Sequence, residues 1–391
     1  MKTELAKLPP YNTAGHLWKS LLFCLPMFLI LFMFLSGGRP DFSDIKFTVS
    51  FLIVFILFNY LFFKILYTGK TDRYRSVIFI LYAVFLSFIF ILNMFETRDA
   101  MTFNSADMLQ CNIPFCHLVI SMILIPAALT NSIIFPGNIM GGFAPITSMI
   151  VIWGLSSLAI GKGFCSWGCF YGGWEDGFSR IRKKAKLKNV NSLFRWFAFA
   201  VLLLVAISSA VMLSPTYCDW ICPFKAVTEF EQVTSAETLI KTIIFSSLFA
   251  GLVVILPVLT KKRMQCTTLC PLGALNSLTN KINAFDIRIN HEQCTQCRNC
   301  INACPTLSLD ESSYKTGRAH FTCCKCGKCV DVCTKHAINY HIKGVPVNKA
   351  QSATRILFVF SAFLFLAIFA SGSIQMGVYK IINLITTGSL S

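Results

Sequence analysis

Apolar residues recur along this chain in stretches approaching the ~20 residues that a helix needs to cross a hydrocarbon layer of ~30 Å. Six of them, 21–35, 47–63, 77–94, 193–213, 239–259 and 356–370, predict spanning helices. Lys2, Lys7 and Lys19 flank the first, and no small-residue cleavage site follows it, so it reads as a retained helix rather than a signal peptide. The stretch 117–160 is apolar too, but Pro126, Pro136, Gly137, Gly141, Gly142 and Pro145 interrupt it. Broken backbone at membrane depth needs protein or a cavity to satisfy it, and interruptions often mark a working site. The expectation is a re-entrant segment, 117–135, followed by one span, 143–160; a kinked helical hairpin is the alternative.

Composition agrees with a membrane protein: 55% of the 391 residues are hydrophobic and 14% charged. A net charge of +17 first suggests nucleic acid, but the positive-inside rule accounts for it. With a cytoplasmic N-terminus and one net crossing in 117–160, only Arg39, Lys46, Arg98, Lys225, Lys241 and Lys380 of the 35 Lys and Arg fall outside. Two crossings there would place Arg180, Arg182, Lys183, Lys184, Lys186 and Lys188 outside instead. The predicted localisation is thus a multi-pass membrane protein with its C-terminus outside and no nucleic-acid partner.

Cysteine spacing changes the picture most. Cys294, Cys297, Cys300 and Cys304, the last followed by Pro305, repeat 29 residues later as Cys323, Cys326, Cys329 and Cys333. In paired runs of this form the fourth thiolate of each reaches across to the other cluster. That assigns Cys294, Cys297, Cys300 and Cys333 to one 4Fe-4S centre, and Cys304, Cys323, Cys326 and Cys329 to a second. Zinc sites of four thiolates are the competing reading, but they need no crossed repeat. Arg298, Lys325 and Lys328 between the ligands are placed to raise the potentials or to dock an acidic redox partner.

Three more pairs have the form Cys-x3-Cys: Cys165 and Cys169, Cys218 and Cys222, Cys266 and Cys270. With the double run after them, they resemble the membrane polyferredoxins. That family includes the quinol-oxidising subunit of periplasmic nitrate reductase systems, the nitrous oxide reductase accessory protein and a cytochrome oxidase assembly protein. The resemblance covers residues 161–334, although Phe170 stands where the pattern usually has proline. It implies multi-cluster electron transfer at a prokaryotic inner membrane.

Topology adds two groupings. Cys165, Cys169, Cys266 and Cys270 all follow inward spans and can meet at the inner side. Cys218 and Cys222 lie past an outward span, where Cys111 and Cys116 are the other thiols. These four admit a fourth cluster, disulfides suited to an oxidising exterior, or c-type haem at Cys111, Cys116 and His117. Cys24 and Cys324 are left without a role, as bystanders.

The expected fold is a polytopic α-helical membrane protein of about seven spans plus a re-entrant segment, carrying an inserted α+β double 4Fe-4S ferredoxin domain. Its parts are residues 1–285, the transmembrane domain; 286–345, the ferredoxin domain; and 346–391, a last helix and tail. Clusters at opposite faces of a ~30 Å core would be far apart, so the interrupted stretch should bring the outer one inward. Trp167, Glu175 and Asp176 are candidates for a quinone or partner site, against an interface-belt role for the aromatic. No flavin, dinucleotide or P-loop motif stands out, so the expected work is passing electrons between a cytoplasmic or quinol donor and an extracytoplasmic acceptor. Expected partners are lipid and redox proteins on one or both faces. A redox regulator or maturation factor for a partner metalloenzyme is the second reading.

Overall fold

The computed structural model describes residues 16–38, 42–99, 117–122, 124, 146–187, 190–228, 235–346 and 351–388. Its long helices are α1 His16–Leu35, α2 Ile45–Thr68, α3 Thr71–Asp99, α4 Ile146–Ala159, α5 Phe170–Ile181, α6 Phe197–Met212, α7 Ala236–Leu248, α8 Pro271–Ile282 and α9 Gln351–Thr387; all but α5 and α8, which follow cysteine pairs, fall on the apolar stretches. α7 continues through π-helical turns, Phe249–Ile255, to Leu256–Thr260. Among the described residues, five helices are long and apolar enough to cross a membrane: 17–35, 45–68, 192–212, 236–260 and 351–387. A bent pair, 150–159 with 161–167, makes a sixth candidate and turns by 116° at its break. α3 contains the expected 77–94 stretch. The re-entrant segment expected at 117–135 lies outside the described residues except for its first turn.

Caps set the ends of α2. The Asp44 side chain accepts from the Lys46 amide, and Gly69 takes the left-handed conformation that stops the helix. α9 packs along α2 and α3, with Phe363 against Phe58 and Phe62. Arg355 secures the junction by donating to the carbonyls of Ile65 and Gly69 at 3.0 and 2.7 Å.

The ferredoxin part is closed by an antiparallel pair, β1 Phe285–Ile289 with β2 Ile338–Ile342, in register from Phe285 against Ile342 to Ile289 against Ile338. It is set firmly on the helices. Tyr340 stacks on Phe358 of α9 at 4.4 Å, and the Asp331 carboxylate accepts the Thr71 and Arg73 amides at 2.9 and 3.1 Å, capping α3. Lys325, 2% exposed, reaches the Ile160 carbonyl at 3.0 Å and the Asn280 and Asn283 side-chain oxygens at 2.8 and 2.7 Å. It is therefore part of the seam, and of the three basic residues expected to dock a partner it is not available.

Candidate iron-sulfur sites

The 29-residue repeat is a repeat of backbone as well as of cysteines. Left-handed residues occur in matching pairs: Gln296 and Lys325, at φ 59° and 50°; Arg298 and Gly327, at 58° and 88°; Leu307 and His336, at 53° and 52°. Five of these six carry side chains, for which that conformation costs roughly 1–2 kcal/mol each. Such a cost persists only where surroundings dictate the turn. Here the turns wrap the thiols, and the Lys325 amide donates to Cys323 Sγ at 3.4 Å as the Ser308 amide does to Cys304 Sγ at 3.3 Å.

The first crossed set comes together: Cys294, Cys297, Cys300 and Cys333 line one cavity, which Tyr314 and Ile338 help to wall. In the second set Cys323 and Cys304 lie near Cys329, whose thiol burial raises well above its ordinary value and these two raise further, while Cys326 packs against Cys324 and Cys165. Among the described residues no three Cys, His, Asp or Glu side chains are close enough for a single metal ion. Thiolates on a four-iron cube sit at its outer corners and need wider spacing than the ~2.3 Å bonds of one zinc impose.

The three Cys-x3-Cys pairs share one local structure. A short helical turn holds the first cysteine, and the carbonyl of the residue before it accepts from the residues four and five places on. Phe164 accepts from Gly168 and Cys169 at 2.8 and 3.0 Å; Tyr217 from Ile221 and Cys222 at 2.9 and 2.8 Å; Gln265 from Leu269 and Cys270 at 3.0 and 3.0 Å. The loop releases the second thiol where Pro223 and Pro271 follow two of the pairs, and at Phe170 the same turn forms without proline.

Cys165, Cys169, Cys266 and Cys270 are all 3–5% exposed and converge. Burial lifts Cys270 to about 12, with the Cys165 thiol adding to it, and Cys169 is raised by burial and then by Cys165 and Cys270. Each sulfur has an N–H donor: Asn276 Nδ2 to Cys165 at 3.6 Å, Arg263 Nη2 to Cys266 at 3.4 Å, and the Gly273 amide to Cys270 at 3.3 Å. His117 Nε2 lies 3.0 Å from Cys169 Sγ. Donors aimed at sulfur suit thiolates that carry negative charge on iron. The four residues therefore fit a 4Fe-4S cluster.

Arg263 also ties the two loops together, donating to the Cys165 carbonyl and, at 2.8 Å, to Ser166 Oγ. Gly172 is needed beneath it, since a Cβ there would collide with the guanidinium and with the Cys165 carbonyl. The cysteine pattern does not single out Arg263; its place three residues before Cys266 is the signal in the sequence that points to it.

The Cys218 pair lies just past the C-terminal end of α6. Leu213 turns left-handed at φ 49°, and Thr216 Oγ1 bonds back to Ser208 and Ser209 at 2.7 and 2.9 Å, so the chain doubles back. Buried Tyr217 then accepts from Gln265 Nε2 at 2.7 Å, and Phe224 stacks near Phe170 at 4.8 Å. The pair thus leans on the loops of the other four thiols. Cys111 and Cys116 lie outside the described residues. His117, expected as a haem ligand in one reading, is instead buried between Phe164 and Phe170 with its Nε2 engaged by Cys169.

Trp167, Glu175 and Asp176 are all buried in structural roles. Trp167 Nε1 donates to the Lys325 carbonyl at 3.3 Å. The Glu175 carboxylate accepts the Gln265 and Cys266 amides at 2.6 and 2.9 Å, capping the turn that carries Cys266; burial pushes its pKa up to about 7 against the pull of Arg263. Asp176 joins Arg75, Arg180 and Asp72 in a buried network, with Arg75 at 2.9 Å. Burial would raise its pKa, but Arg75 and Arg180 outweigh that and hold it well below the usual carboxylate range. Arg75 further donates to the Ser166 carbonyl at 2.6 Å.

Comparison with known proteins follows this division. Residues 142–188, 194–232 and 242–290, with one Cys-x3-Cys pair in each, match one 4Fe-4S binding domain family, and residues 287–309 match another. The chain is 24% identical over 228 residues to the ferredoxin-type protein NapH of Escherichia coli, covering 55% of this chain and 75% of that one. It is 25% identical to the putative electron transport protein YccM of the same organism, over 44% of this chain and 48% of that one. With the methylamine utilization ferredoxin-type protein MauN of Methylobacillus flagellatus the identity is 27%, over 44% and 58%. The chain thus spans three quarters of the first relative and about half of the other two. No solved structure matches it. Two kinds of 4Fe-4S binding domain in one chain, with ferredoxin-type proteins as its relatives, bear out the polyferredoxin resemblance that its cysteine motifs carry.

Proposed function

We propose that this protein passes electrons through a chain of four 4Fe-4S centres, between a cytoplasmic or quinol donor and an extracytoplasmic acceptor. What supports this most is the placement of the membrane-side thiols: Cys165, Cys169, Cys266 and Cys270 are wedged between the ferredoxin part and the Cys218 loop. Its relatives include ferredoxin-type and electron transport proteins. Bound clusters supply the one-electron chemistry. The chain's residues do the rest. Thiolates hold each cube, while Asn276, His117, Arg263 and the Gly273 amide offset the charge that a reduced cube places on sulfur.

In this reading the ferredoxin sets are Cys294, Cys297, Cys300 and Cys333, and Cys304, Cys323, Cys326 and Cys329. The fourth centre is held by Cys218 and Cys222 with Cys111 and Cys116. The protein sits in the prokaryotic inner membrane with its N-terminus and the ferredoxin domain, 286–345, in the cytoplasm and its C-terminus outside. Redox proteins meet it on one or both faces. The test is low-temperature electron paramagnetic resonance with iron quantification on anaerobically purified protein. The expected result is about sixteen irons per chain, four for each cube. About eight irons would reduce the protein to an anchored ferredoxin, and zinc in their place would end the proposal.

A further inference from the structure

Cys324 has no ligand position in the ferredoxin spacing, yet the structure gives it a definite place. It is 1% exposed and shares one buried thiol group with Cys326, from the second ferredoxin set, and Cys165, from the membrane-side set. Thr306 Oγ1 donates to its Sγ at 3.6 Å, and the Cys326 thiol packs against it with Ser166 close by. Ser166 is in turn fixed on both sides, its Oγ by Arg263 at 2.8 Å and its carbonyl by Arg75 at 2.6 Å. A small, polarizable side chain thus fills the gap between ligands of two different centres, touching one from each.

We infer that Cys324 is the contact through which an electron crosses between the cluster held by Cys304, Cys323, Cys326 and Cys329 and the cluster held by Cys165, Cys169, Cys266 and Cys270. This rests on the reading of both thiol sets as cluster sites. With both clusters bound, the exchange would be of a single electron, one centre being oxidised as the other is reduced. No bond forms or breaks, and the Cys324 thiol ends as it began. Its contribution is continuous packed contact, with its orientation held by Thr306. Cys324 is a positioning residue and holds no iron.

The test uses the full-length protein and its Cys324→Ala and Cys324→Ser variants, mixed with a low-potential viologen radical and freeze-quenched for electron paramagnetic resonance. In Cys324→Ala the iron content and the rate of appearance of the ferredoxin signals stay at their original values, while reduction of the membrane-side cluster slows several-fold. Cys324→Ser, which keeps a hydrogen-bonding atom in the gap, recovers part of that rate. An unchanged rate in Cys324→Ala at full iron content overturns the contact, and so does the loss of a cube's iron, which would make Cys324 a ligand. The underlying reading fails separately: a Cys266→Ser protein with undiminished iron removes the membrane-side cluster, and with it the step proposed here.

Discussion

His117 meets Cys169 Sγ at 3.0 Å inside a sleeve of Phe164 and Phe170. A hydrogen bond to thiolate favours the more negative, reduced cluster, so His117→Phe should lower the membrane-side potential. A charged hydrogen bond is worth ~1.5–3 kcal/mol, which corresponds to about 60–130 mV for one electron if the whole bond depends on the added charge. Redox titration followed by electron paramagnetic resonance measures it, and an unmoved potential would show that the contact is packing only. Gly172→Ala should be far harsher, because the new methyl displaces Arg263 from the Cys165 carbonyl. The expected outcome is loss of about one cube of iron with the ferredoxin signals intact. Spacing made the cysteines legible, since three closely set thiolates have few other uses. The sulfur donors were not legible, because Asn276 and Arg263 come from elements whose packing no local pattern reveals.

Between elements, the seam under the ferredoxin part is polar and buried. Lys325→Met removes one of two donors from each of the oxygens of Ile160, Asn280 and Asn283, which keep the amides of Gly163, Lys162 and Phe285, at a cost of ~1.5–3 kcal/mol for a lost charged hydrogen bond. A lower melting temperature in detergent, and earlier proteolysis between β1 and β2, would register it. Arg195 makes a second tie, 2.8 Å from Asp310. Burial would raise Asp310, but hydrogen bonds from Ser312 and Ser313, with Arg195, hold it below the ordinary carboxylate range. A depressed carboxylate contributes stability that is present above an unfolded value near ~4 and lost as pH falls toward its folded value. Arg195→Met should remove part of that acid sensitivity, read from melting temperature against pH. The apolar runs gave the long helices with small shifts of boundary, except that α9 continues to Thr387, well past the expected end at 370. They did not give the 116° break or the reversal after Leu213, because both depend on what the following residues find to bind.

At the scale of the molecule, the doubled-back Cys218 loop rests on the turn that carries Cys266, through Tyr217 and Gln265. Three equivalent turns in three repeats make Cys222 as well prepared a ligand as Cys169 or Cys270. Cys218→Ser should therefore remove about four irons per chain while the other centres keep their signals. Full iron content in that variant would return the pair to structural duty. Sequence reasoning grouped the thiols in four and looked to the interrupted stretch to bring the last group inward; the turn after Leu213 was not legible, since hydropathy gives the direction of a helix and not where the chain goes afterwards.

Exposure along this series is uneven. Cys297 is exposed and Cys294 and Cys333 are half-buried, whereas Cys304, Cys326 and Cys329 are buried, as are all four membrane-side thiols. In the proposed function, a carrier arriving from the aqueous side would first meet the Cys297 corner, the one exposed thiol among the described residues, beside Arg298 and Glu311, which pair at 3.2 Å. Choice among donors there would rest on surface side chains that stand apart from the buried thiols behind them.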